Sequence, residues 1–247
     1  VGKTELCVQL AKNLGVELLR FDMSEFMEKH TVSQLVGAPA GYVGFDQGGQ
    51  LTESVSRNPY SLLLLDEIEK AHPDLLNILL QVMDHGELMD NAGKHINFRN
   101  VIIIMTSNAG AASYEKNILG FVDTDHSPDA QEAVKRFFSP EFRNRLDSII
   151  PFKPLSEEVI AKVVDKFIIE LKSQLVPKGV KLNITKGAKQ WLAQHGYEVA
   201  LGARPMRRLI DHKIKVKLAD ELIFGKLSDG GLVKIKSSGQ KLVIESE

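Results

Sequence analysis

Apolar residues recur along this chain in two rhythms, and the rhythm changes once. Leu6, Val8, Leu10, Ala11 and Leu14 suit a helix that Gly15 closes. Residues 16–21 form a short apolar run ending at Asp22, read as a strand. Residues 60–65, Tyr-Ser-Leu-Leu-Leu-Leu, show no polar alternation, as expected of a strand covered on both faces. A helix follows near Pro73, with Leu75, Leu76, Leu79, Leu80 and Met83 on its apolar side and Gly86 as its stop. Asn91-Ala92-Gly93 reads as a hairpin turn, and Val101-Ile-Ile-Ile-Met as a second doubly buried strand ending at Thr106-Ser107-Asn108. Strands alternating with helices predict a parallel α/β sheet.

Near residue 153 the pattern becomes helical. Lys153-Pro154-Leu155-Ser156 breaks the chain and starts a helix, with Ser156 as N-cap and Glu157 and Glu158 in the favourable first turn. Val159, Ile160, Val163, Val164, Phe167, Ile168 and Leu171 mark one broad face. Helical segments are expected to continue to about Phe224. Leu232–Lys236 and Lys241–Glu245, joined by Ser-Ser-Gly-Gln, predict a terminal hairpin. The expected domains are therefore 1–152 and 153–247, with no internal repeat.

Composition narrows the function classes. A formal net charge of -1 gives no global attraction for nucleic acid or an acidic membrane. The single cysteine, Cys7, has no intramolecular disulfide partner and is expected to pack as a small apolar residue in the first helix, in keeping with a reducing compartment. No run approaches 18 apolar residues, so no membrane span is expected.

The chemistry begins at the first residues. Gly2-Lys3-Thr4 is the second half of the phosphate-binding loop G-x-x-x-x-G-K-[ST], in which backbone N–H groups cradle phosphates and the lysine reaches the β/γ-phosphates. The first glycine would precede Val1, so the chain is expected to be a piece of a longer protein. Asp66 and Glu67 end the leucine strand, at the edge where parallel sheets place ligands. Phosphoryl transfer to water needs Mg²⁺ held near the phosphates and a positioned water. Asp66 suits the metal and Glu67 the water. Asn108 ends the second apolar strand, where a parallel neighbour would put its amide beside Glu67; a local turn before Ala109-Gly110 is the other reading.

Cations and loops complete the pattern. Arg143 and Arg145 lie in Pro140-Glu-Phe-Arg-Asn-Arg-Leu-Asp, and ring ATPases insert such an arginine into a neighbour's site. Arg204, directly before Pro205, would stand at a helix start, where a cation opposes the dipole unless it meets a phosphate. Residues 37–49 carry five glycines around Tyr42 and cannot form a regular element. Tyr42, between Gly41 and Val43-Gly44, reads as an aromatic grip on extended polypeptide or as a tight turn packed on the core. Residues 109–128 show no periodicity. The apolar cluster Ile118–Val122 within them reads as a docking point for another protein or as a segment folded back on its own body.

Taken together, the chain resembles the AAA+ unfoldases of the Clp/Hsp100 group, most nearly the second ATPase module of the ClpA branch. The likeness runs over essentially all 247 residues and rests on Leu19-Arg-Phe-Asp-Met-Ser-Glu, Gly37 to Gly49, Leu62 to Pro73, Phe138 to Asp147 and Gly202-Ala-Arg-Pro-Met. It implies a P-loop large domain followed by a mainly helical lid with a terminal β-hairpin, and ATP hydrolysis with Mg²⁺. Gly2, Lys3 and Thr4 match Walker A, Asp66 and Glu67 match Walker B, and Asn108 matches sensor 1. Arg145, ahead of Arg143, matches the arginine finger, and Arg204 matches sensor 2. Tyr42 matches the pore-loop aromatic of a hexameric ring. Leu119-Gly120-Phe121 resembles the loop that docks on a ClpP-like peptidase, a tripeptide generally missing from the disaggregase branch. The implied function is a cytoplasmic, bacterial, homo-hexameric unfoldase that feeds unfolded or tagged proteins, with or without adaptors, to that peptidase. The alternatives are a peptidase-independent disaggregase and a nucleotide-binding assembly module without turnover. A DNA-directed motor is disfavoured, because the chain carries no basic stripe.

Overall fold

The computed structural model describes residues 2–37, 48–91, 93–108, 132, 134–198, 202–228, 230–239 and 241–246. The chain divides into two compact units, Gly2–Pro151 and Phe152–Glu247. Each has its own core.

In the first unit, helix α1 (Lys3–Leu14) leads into strand β1 (Glu17–Asp22). Helices α2 (Lys29–Val36) and α3 (Gln50–Arg57) follow, then β2 (Ser61–Asp66) and α4 (Pro73–His85). A small antiparallel pair, β3 (Glu87–Met89) and β4 (His95–Asn97), flanks the turn at Asn91–Gly93. Strand β5 (Val101–Met105) precedes the short helix α5 (Pro140–Arg143). The described sheet is parallel in the order β1-β2-β5.

All six residues of β2 are buried, and the period of two explains why they need no polar alternation. Leu62 and Leu64 pack with Cys7 and Ala11 of α1. Leu63 and Leu65 join the opposite core with Leu75, Leu79, Phe26 and Phe142. Cys7 sits where an apolar residue would, and burial pushes its thiol pKa up. Gly86 closes α4 in the left-handed conformation, its N–H donating to Val82 O.

One strand departs from expectation. Val101–Met105 is only partly buried, and Ile102 is 43 % exposed. Among the described strands β5 lies at an edge, so its uniform apolar run does not mean cover on both faces.

The second unit opens with α6 (Glu157–Leu175), whose Ser156 has N-cap backbone geometry but makes no side-chain cap hydrogen bond. Then come β6 (Val180–Ile184), α7 (Lys186–His195), α8 (Arg204–Ile210), α9 (Val216–Phe224), and the hairpin β7 (Gly231–Ser238) and β8 (Lys241–Ser246). The core joins Val164 and Ile168 of α6 to Leu192, Met206, Ile214, Val233 and Ile235. Strand β6 falls inside the span expected to be helical. Its Val-Lys-Leu-Asn-Ile alternates, with Val180 and Leu182 buried and Lys181 and Asn183 exposed. It pairs parallel to β7, so the terminal hairpin is part of a three-stranded sheet, β6-β7-β8. Among the described residues, no helix is long and apolar enough to cross a membrane.

Candidate nucleotide and metal site

Gly2 adopts φ 86°, a left-handed conformation that glycine takes without steric cost, and its carbonyl accepts the first bond of α1 from Leu6 N–H. Lys3 and Thr4 therefore stand in the first turn of α1, the end of a helix that favours anions. Parallel pairing sets Asp22 beside Asp66 at the carboxyl edge of the sheet, and residues 106–108 leave β5 at that same edge.

The side chains converge there. Lys3 Nζ donates to the Ser107 carbonyl and to Asn108 Oδ1, the latter at 2.5 Å. Thr4 Oγ1 donates to Asp66 Oδ2 at 3.1 Å. Thr106 Oγ1 donates to the other Asp66 oxygen, Oδ1, and accepts from Glu67 N–H at 3.3 Å. Lys3, Thr4, Asp66 and Asn108 thus form one cluster from three parts of the chain, Thr4 lying 62 residues from Asp66 and Lys3 105 from Asn108. The Asn108 amide oxygen has Lys3 as its partner, while its backbone N–H donates to Glu69 Oε1 at 2.8 Å.

Glu67 is held differently. Its backbone is left-handed at φ 56°, the only such non-glycine among the described residues. That conformation costs a residue with a Cβ of order 1 kcal/mol or more and persists where surrounding contacts enforce it. Glu67 N–H on Thr106 and Ile68 N–H on the Thr106 carbonyl, at 2.9 Å, supply that enforcement. The Glu67 carboxylate pairs with Lys70 at 2.5 Å, and this bond raises the Lys70 pKa above its usual value.

The donor set fits a magnesium ion. Adjacent ligands bound at 2.0–2.1 Å in an octahedron lie about 2.9 Å apart, close to the 3.1 Å between Thr4 Oγ1 and Asp66 Oδ2. Both are hard oxygen donors. Among the described residues no three His, Cys, Asp or Glu side chains gather to hold a metal by themselves, so phosphate and water oxygens would complete the shell.

Three neighbours were not legible as site residues. Thr106 braces both Asp66 and Glu67, Lys70 pairs with Glu67, and Arg20 Nη2 meets Asp66 Oδ2 at 2.8 Å. Only the strand register brings Arg20 near the acidic pair; its position in the Leu19-Arg-Phe-Asp string was the one available signal.

The other expected residues lie elsewhere. Arg145 binds Asp84 of α4 through both faces of its fork, with Nη2 to Oδ2 at 2.9 Å. Arg143 ends α5, and Arg204 heads α8 in the second unit, exposed. Gly41, Tyr42, Val43 and Gly44 lie outside the described residues, although Gly37 and Gly48 on either side of residues 38–47 form an antiparallel bridge. Leu119, Gly120 and Phe121 also lie outside them.

Residues 1–149 match the family model of the AAA domain (Cdc48 subfamily), and residues 155–235 match that of the C-terminal, D2-small domain of ClpB protein. The chain is 57 % identical to a ClpA homolog protein of Fuscovulum blasticum, over 99 % of its own length and 31 % of the relative's. It is 46 % identical to the chaperone protein ClpB of Clostridium perfringens, over 99 % of its length and 29 % of the relative's. A cryo-EM reconstruction of closed-state Hsp104 with ATPγS and FITC-casein aligns with TM-score 0.87 and 38 % identity, over 99 % of this chain and 43 % of that one. The chain thus spans under a third of the curated relatives' length.

These findings correct the expectation of a ClpP-like peptidase partner. Chaperones named ClpB recur among the relatives, the lid model is that of ClpB, and the solved neighbour is Hsp104. They favour the peptidase-independent alternative over a protease subunit docking through Leu119, Gly120 and Phe121. A tripeptide by itself carries too little information to outweigh a likeness that spans both units. The chain belongs to the AAA+ ATPases, as a module of the Clp/Hsp100 group related to both its ClpA and ClpB lineages.

Proposed function

We propose that this chain is the second, ATP-hydrolysing module of an Hsp100-type chaperone that remodels misfolded or aggregated polypeptide in the cytoplasm without a peptidase. The observation that carries the nucleotide reading is the convergence of Lys3 with Asn108 and of Thr4 with Asp66 at one sheet edge. The D2-small match supports the second-module position, and the ClpB and Hsp104 relatives support the chaperone reading.

In this reading Lys3 exchanges Ser107 and Asn108 for phosphate oxygens, and Gly2 lets the backbone approach them. Thr4 and Asp66 hold Mg²⁺, which when bound neutralises charge on the phosphate oxygens. Glu67 leaves Lys70, orients a water and takes its proton as that oxygen attacks the γ-phosphorus in line; the bond to the β–γ bridging oxygen breaks, and ADP departs with its electron pair, leaving inorganic phosphate. Asn108 steadies the water or the γ-phosphate. Arg145 acts on a neighbouring protomer of a hexamer, Arg204 senses the phosphate from the lid, and Tyr42 grips substrate in the pore.

Glu67→Gln in the full-length protein tests the assignment. The expected result is retained ATP binding and ring assembly with hydrolysis lost, together with loss of ATP-dependent recovery of an aggregated reporter enzyme assayed without peptidase. Equal turnover in wild type and variant would overturn the role of Glu67. Reporter recovery that requires a peptidase would overturn the chaperone reading.

A further inference from the structure

Asp66 Oδ2 receives two donors from different elements: the Thr4 hydroxyl of α1 at 3.1 Å and the Arg20 guanidinium of β1 at 2.8 Å. Arg20 comes from β1, two register positions inside the edge pair of Asp22 and Asp66, opposite Leu64, with its side chain about half exposed. The Asp66 side chain is only 10 % exposed. A positive charge therefore stands on the same carboxylate oxygen that Thr4 touches, the oxygen that would face a divalent cation.

We propose that Arg20 is a positioning residue that competes with the divalent cation for Asp66 Oδ2 and so sets the Mg²⁺ concentration at which nucleotide is held. The inference rests on Asp66 being the metal carboxylate. Two features make competition the natural outcome. Like charges at short range in a partly desolvated cleft repel strongly, because the effective dielectric is well below that of water. The carboxylate does not need Arg20 to be satisfied, since hydroxyls of Thr4 and Thr106 donate to its two oxygens separately. Arg20, with half its side chain in water, can swing away and be solvated at little cost, whereas Asp66 cannot move. Its Oδ1 is tied to Thr106, which in turn fixes Glu67. Metal binding that displaces Arg20 would leave this bracing intact.

The test uses the full-length protein and binding of a fluorescent ATP analogue at stepped Mg²⁺ concentrations. Arg20→Gln removes the charge and is expected to lower the half-saturating Mg²⁺ concentration about threefold or more, a scale set by one partly screened charge. Arg20→Lys keeps the charge and is expected to stay near wild type. Should glutamine not be tolerated, Arg20→Met repeats the comparison while keeping the apolar stem. An unchanged or higher Mg²⁺ requirement in Arg20→Gln, or an equal shift in Arg20→Lys, would overturn the proposal. Asp66→Asn separates the two levels of inference. If it leaves the Mg²⁺ dependence of binding unaltered, the metal reading of Asp66 fails. If it removes that dependence while Arg20→Gln changes nothing, only the role of Arg20 fails.

Discussion

Arg145 closes a forked ion pair with Asp84 inside its own chain, Nε meeting Oδ1 and Nη2 meeting Oδ2, while Nη1 donates to the Glu141 carbonyl at 3.0 Å. The guanidinium holds the Asp84 carboxyl below its usual pKa, and the Arg145 pKa is raised in turn. An arginine that is to act on a neighbour's nucleotide must first leave this partner. Arg145→Ala is expected to retain nucleotide binding and lose about 10³-fold in turnover, the scale of a missing finger. Asp84→Ala is expected to raise turnover about two- to fivefold, the scale of an exposed ion pair. Steady-state ATPase assays on the assembled protein check both. Full activity in Arg145→Ala would exclude the finger role.

Thr106 is the brace of the acidic pair. Its hydroxyl serves Asp66 Oδ1 and Glu67 N–H together, and the residue is buried. Thr106→Val keeps the shape and strands both groups, so it should cost about 1–3 kcal/mol. Hydrolysis should fall more than nucleotide affinity, because the groups released position Asp66 and Glu67 rather than Lys3. Chemical denaturation and paired kcat and KM measurements check this; a proportional fall in affinity alone would contradict it.

Gly49 precedes α3 with its α-carbon pressed against the end of α2. A Cβ built there would lie 2.3 Å from the Leu35 carbonyl oxygen and 2.5 Å from Gly37 N. Those are backbone atoms, so the clash has no cheap relief. Gly49→Ala should lower the melting temperature clearly, by more than an ordinary surface change of about 0.5 kcal/mol. An unchanged melting curve would mean that the two helices can separate freely.

Asp22 carries a pH signature. The Ser24 hydroxyl at 2.6 Å and backbone N–H at 3.0 Å both donate to its Oδ1 and lower its pKa. The folded value lies below the unfolded one, about 3.9, so the unfolded state takes up the proton first. The stabilisation is complete above about pH 3.9 and is lost as pH falls through the depressed value. Asp22→Asn should therefore melt below wild type near neutral pH, with the gap narrowing in acid. Parallel melts from about pH 6 to about pH 3 read this, and a gap that widens in acid has the wrong sign.

The residues that could be found in the chain are those whose chemistry lies in neighbours along it. Gly2-Lys3-Thr4 and Asp66-Glu67 are short strings whose function needs adjacent residues on a helix start or a strand end. Thr106 lay in no such string, and Arg20 and Lys70 lay inside longer strings that did not single them out. Thr106 is a lone hydroxyl after an apolar run, and its importance comes from β5 lying parallel to β2. Lys70 matters because Glu67 turns left-handed and brings its carboxylate within 2.5 Å. The tripeptide Leu119-Gly120-Phe121 marks the opposite extreme, a local string whose implied peptidase partner the likeness over both units overturns.

Periodicity, breakers and motif strings in the sequence were enough to establish a parallel α/β unit followed by a helical one, with a phosphate loop and an acidic strand end. Those features are local, since hydrophobic spacing and backbone preference act within a few residues. Tertiary structure alone decided that β5 is an edge, that β6 joins the terminal hairpin, and that Arg20, Thr106 and Lys70 surround Asp66 and Glu67. Each of these depends on strand register and chain crossing, and register is settled by burying both faces of β2 at once. No stretch of a few residues can encode that by itself.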